Sequence, residues 1–118
     1  MRIVTGYITL FCFLMLAVKY PLRKLGLTKA NQFMMKLHEI ASAALVLVGT
    51  AHLVMACLVF SQYSLLLTLS GITVYVLCFV IITACHLTKD VKVKMHWHRI
   101  LSLAAAIAIA VHVTAYFV

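Results

Sequence analysis

Acidic side chains are almost missing from this chain, with Glu39 and Asp90 standing against ten lysines and arginines. The net charge of +8 is nevertheless no nucleic-acid signal, because the cations collect at the ends of apolar runs. Glycine is scarce too, at four in 118 residues, and neither a Gly-rich phosphate loop nor a βαβ nucleotide-binding unit can be drawn. Long polar segments are absent, which leaves no room for an extramembrane domain.

What is present is apolar. Hydrophobic residues make up 66% of the chain, and the mean hydropathy of +1.16 is far above that of a water-soluble domain. A spanning helix needs about 20 predominantly apolar residues, and four stretches qualify, at about 3–20, 37–60, 64–87 and 96–118. The expected fold is an all-α membrane protein, a single transmembrane domain over 1–118 built as a four-helix bundle. Lys19, Arg23, Lys24, Lys29 and Lys36 fall in the loop between the first two spans, and Lys89, Lys92, Lys94 and Arg99 in that between the last two. The link 60–64 and the C-terminal end carry no charge, so the positive-inside rule puts both basic loops in the cytoplasm and both termini outside. Arg2 alone opposes this. The first span lacks a small-residue cleavage pattern and its basic cluster follows the apolar run, so it reads as a mature helix and not as a signal peptide.

Histidines are placed in these spans with a pattern. His38 and His52, and again His98 and His112, are each separated by thirteen intervening residues. Fourteen helical steps make about 3.9 turns, so both members of a pair return to nearly one face, roughly 21 Å apart along the axis. Sliding the sequence by 60 residues matches Met35 with Met95, His38 with His98, Ile40 with Ile100, Ser42 with Ser102, Ala44 with Ala104 and His52 with His112. Six identities in 18 positions indicate a duplicated helical hairpin. A two-helix repeat preserves direction, which makes the second and fourth spans parallel. Parallel helices can set His38 opposite His98 and His52 opposite His112, each pair offering two axial imidazoles.

Ionisable groups inside a bilayer are costly and usually functional. A zinc or copper site needs ligands that converge on one small volume, and ligands roughly 21 Å apart along a helix cannot converge. Haem iron needs only one imidazole from each side. The expectation is two b-type haems, an inner one on His38 and His98 and an outer one on His52 and His112. The side facing the ligands carries Ala41, Ser42, Leu45 and Gly49 in the second span and Leu101, Ser102, Ala105 and Ala108 in the fourth. Small side chains admit flat macrocycles, although alone they would equally indicate close helix packing. Cys12, Cys57, Cys78 and Cys85 lie within spans without a Cys-x-x-Cys-His motif, so covalent c-type attachment is excluded and packing is their expected role.

Cationic partners for inner haem propionates are available in Arg23, Lys36 and Arg99, with Lys24 and Lys94 nearby, and each also serves as a topology determinant or lipid-phosphate contact. The outer side offers only Arg2, Ser61, Gln62, Tyr63 and Tyr116. His86 and His96 are expected at headgroup level. Trp97, Tyr20, Tyr63 and Tyr116 read as interfacial anchors. Glu39 follows a ligand but is expected to pair with a nearby lysine.

The stretches Arg23-Lys24-Leu25-Gly26 and Leu37-His38-Glu39, then Gly49 and His52, Trp97-His98-Arg99 and His112, resemble the ferric reductase-like transmembrane domain superfamily. The resemblance covers the second to fourth spans and is carried by the twin histidine spacings. It implies two haems on His38, His98, His52 and His112 and electron transfer across the bilayer. Members have more spans, and many fuse the core to a flavin and nicotinamide domain. This chain looks like a minimal core with no flavin or nicotinamide site of its own, a haem subunit served by a separate redox protein or by quinone in a prokaryotic cytoplasmic membrane. The cationic loops favour the reduced inner haem, so outward flow needs a strongly reducing donor. The alternatives are a quinol-linked dihaem cytochrome b, a histidine-lined metal or proton transporter, and an anchor for a partner oxidoreductase; a homo-oligomer is compatible with each.

Overall fold

The computed structural model describes residues 2–59 and 63–117. The protein is all-α: α1 runs Arg2–Lys24, α2 Thr28–Cys57, α3 Leu65–Leu87 and α4 Val91–Phe117, with no strand among the described residues. The shortest helices have 23 residues, which at about 1.5 Å per residue exceeds the roughly 30 Å of a hydrocarbon core. All four are long and apolar enough to cross a membrane.

The helices outrun the apolar spans at their basic ends. Lys19, Arg23, Lys24, Lys29 and Lys36 belong to α1 and α2, not to a loop, and Lys92, Lys94 and Arg99 belong to α4. At these basic ends 25–27 and 88–90 are left as turns. Lysine and arginine are good helix formers, and their long stems let a charge reach water while the backbone stays helical.

Each turn is built by local chemistry. After α1, Gly26 adopts φ 69°; its N–H donates to Arg23 O and that of Leu27 to Leu22 O, closing the last carbonyls of the helix. Before α4, Asp90 Oδ1 accepts from the backbone N–H of Lys92 at 2.8 Å and of Val93 at 3.2 Å, while its carbonyl accepts from Lys94. One of the two acids in the chain is thus a helix cap. Ser64 Oγ caps α3 through the N–H of Leu67.

The chain divides into two compact units, Met1–Met55 and Ala56–Val118. The first holds α1 and nearly all of α2, the second α3 and α4. Each unit is one helical hairpin, so the sequence repeat is also a structural division. Within the second, α3 packs along α4. Few side chains are buried, among them Cys12, Met34, Leu45 and Ala105, whereas large apolar residues such as Ile40, Leu47, Leu103 and Ile107 are exposed, as suits helices facing lipid. Helical hydroxyls turn back onto their own backbone: Thr50 donates to Val46 O, Thr83 to Phe79 O and Thr114 to Ala110 O.

Two substitutions test the turns. Gly26→Ala forces a Cβ into the left-handed region, and Asp90→Ala removes a cap; each should lower stability by about 1 kcal/mol, read as a lower denaturation midpoint of the protein in detergent, with helix content unchanged before unfolding.

Candidate functional site

His38, His52, His98 and His112 are half-buried, whereas His86 and His96 are exposed. The duplicated helices also repeat in exposure. From 38 to 55, each residue is buried, half-buried or exposed alike with the residue 60 further on, except that Gly49 is buried and Ile109 half-buried. Leu45 and Ala105, both on the side expected to face the ligands, are the buried counterparts at the middle of that face. Ser42 directs its hydroxyl to Glu39 O at 2.8 Å.

The first helix of each hairpin meets, on the second, the histidine that lies further from the turn. In the first unit, Thr5 Oγ1 lies 3.1 Å from His52 Nδ1. In the second, Ser70 Oγ lies 3.0 Å from His112 Nδ1. Ser70 also donates to Leu67 O at 2.9 Å. A hydroxyl has one proton, so with that proton on Leu67 the oxygen can only accept from His112 Nδ1–H. That pairing suits the tautomer in which Nε2 of His112 carries the lone pair, the form of imidazole that binds a metal.

A glycine follows each of these hydroxyls. A Cβ on Gly6 would stand 3.2 Å from His52 Cε1, and one on Gly71 only 2.9 Å from His112 Cε1. Both glycines therefore let an imidazole ring press against helix backbone. Thr5-Gly6 and Ser70-Gly71 are one device used twice. Sequence reasoning missed it because the two copies are 65 residues apart, outside the 60-residue register of the histidines. The first hairpin is five residues longer between hydroxyl and histidine (47 against 42), and both turns have three residues, so the excess is helical. A second comparison at that offset would have shown the hydroxyl–glycine pair.

Nearer the turn of the second hairpin the contact is different. Cys85 Sγ lies 3.4 Å from His98 Nδ1, so this cysteine does more than the packing expected of it. All four cysteines are free thiols. Among the described residues no group of three or more His, Cys, Asp or Glu side chains can hold a metal ion together.

The candidate propionate cations Arg23, Lys36 and Arg99 are exposed. Arg99 lines a shallow pocket with Lys92, Met95 and His96, and Lys24 lies over the Tyr20 ring at 5.5 Å. His96 meets Trp97 edge to face. Glu39 is exposed. Tyr63 is half-buried and Tyr116 exposed; Ser61, Gln62 and the Arg2 side chain lie outside the described residues. Comparison with family models, curated proteins and solved structures returned no match.

The glycine contacts rank two variants. Gly71→Ala must displace His112 and should cost about 1–3 kcal/mol, while Gly6→Ala, with its looser contact, should cost less; denaturant titration in detergent measures both, and the reverse order would contradict the ring packing described.

Proposed function

We propose that this chain conducts electrons across a membrane through two b-type haems, the inner held by His38 and His98 and the outer by His52 and His112. The single observation that carries the reading is the twin fourteen-residue histidine spacing, repeated with the same pattern of exposure. The donor chemistry supports it. A metal-bound histidine donates its second ring N–H to an acceptor, and the Nδ1 atoms of His52, His98 and His112 each face a side-chain oxygen or sulfur of the preceding helix. The same face carries small side chains, Ala41, Ser42 and Gly49 in α2 and Ser102 and Ala105 in α4, against which a flat macrocycle would lie.

A bis-histidine b-type haem, when bound, passes single electrons. The residues of the chain position and insulate: the histidines fix two levels roughly 21 Å apart along each helix, and the apolar helices exclude water between them. On this reading the basic turns face the cytoplasm, with Arg23, Lys36 and Arg99 available to inner propionates. Electrons come from a separate redox protein or from quinol, as for a ferric reductase-like haem subunit, in a prokaryotic cytoplasmic membrane.

The test is a reduced-minus-oxidised spectrum of the purified chain. A b-type α-band with about two haems per chain is expected; His38→Ala or His98→Ala should remove one haem, and His52→Ala or His112→Ala the other. A chain without haem, in which histidine substitutions abolish only metal-ion transport, would overturn the proposal.

A further inference from the structure

Resting on the bis-histidine reading, we propose that the first helix of each hairpin sets ligand strength, so that Thr5 and Ser70 make the outer haem the lower-potential of the two and Cys85 leaves His98 a weaker ligand inside. These three are positioning residues, acting through the imidazoles they touch.

An imidazole bound through Nε2 keeps its proton on Nδ1, and that N–H donates to whatever acceptor faces it. At His112 the acceptor is the Ser70 hydroxyl at 3.0 Å, whose own proton is engaged by Leu67 O at 2.9 Å. At His52 it is the Thr5 hydroxyl at 3.1 Å. At His98 it is the Cys85 thiol at 3.4 Å, and sulfur is a weak acceptor. A better acceptor gives the ring more imidazolate character, and a more basic ligand favours ferric iron and lowers the potential. The two hydroxyls both serve outer ligands. On α4 the contrast is internal to one hairpin: Ser70 and Cys85, both on α3, address His112 and His98 with acceptors of different strength. The cationic turns act in the same sense, because positive charge near the inner haem favours its reduced form. With both haems bound, this difference would favour the electron at the inner one when no membrane potential is applied.

Gly6 and Gly71 make these hydrogen bonds attainable. They bring the helix backbone against Cε1 of each ring, and the hydroxyl one residue earlier meets the adjacent Nδ1. That threonine performs at position 5 what serine performs at position 70 shows that either hydroxyl is competent, which supplies a conservative control.

Two readouts on the full chain test the proposal. In haem-free protein in nanodiscs, ¹⁵N chemical shifts of the His112 ring should report the Nδ1–H tautomer; Ser70→Ala should admit the Nε2–H form, and Ser70→Thr should restore the original. In haem-loaded protein, potentiometric titration should resolve two midpoints. Ser70→Ala should raise only the lower one and weaken haem retention about 10-fold, Ser70→Thr should leave both in place, and Cys85→Ser should lower only the upper one. Both haems bound with midpoints and tautomer unmoved by Ser70→Ala would overturn the inference and leave the conduction reading standing, as would a Ser70→Ala shift confined to the upper midpoint. A chain that takes up no haem would overturn the conduction reading and the potential difference together.

Discussion

Hydrocarbon offers no water to an imidazole N–H, so a histidine placed at membrane depth depends on a partner supplied by the protein. The rest of this molecule follows from that constraint. Backbone groups are satisfied by making every long segment a helix. Threonine and serine hydroxyls are satisfied by turning back onto carbonyls of their own helix. At His52 and His112 the imidazole takes its partner from the neighbouring helix, as Thr5 and Ser70 show. The helical hairpin is thus the unit that supplies the partner of each of these two histidines.

Glycine and hydroxyl divide the work between them. The hydroxyl gives the ring Nδ1 a partner, and the glycine after it removes the one atom that would crowd the ring. The device occurs in both hairpins although their helices differ in length, the five extra residues of the first being absorbed as helix on the side of the basic turn. Geometry at the end far from the turns is therefore kept in both hairpins. Cys85 stands nearer the turn, with a softer contact to His98.

Much of this could be read directly from the chain. Four apolar runs dictate four membrane-length helices, and the helical period dictates that residues fourteen apart share a face. The 60-residue repeat marks the division into two hairpins that the structure displays. The basic residues were less legible: hydropathy ends a span at the first lysine, whereas a helix ends where its backbone is capped. Gly26 and Asp90 set those ends. The role of Asp90 was hidden because an acid among lysines looks like an ion-pair partner, and only its distance to the N–H groups of Lys92 and Val93 identifies a cap.

By itself the sequence determined the helices, their duplication and the faces that carry His38, His52, His98 and His112, because periodicity and hydropathy act along a single helix and need no knowledge of its neighbours. Only the tertiary structure decided which atoms those histidines meet. Thr5, Gly6, Ser70, Gly71 and Cys85 are unremarkable in an apolar helix until the turn lengths and helix extensions set the register of one helix against the next. A hydrogen bond of 3.0 Å depends on that register to within a fraction of a helical turn, and no pattern confined to one helix contains it.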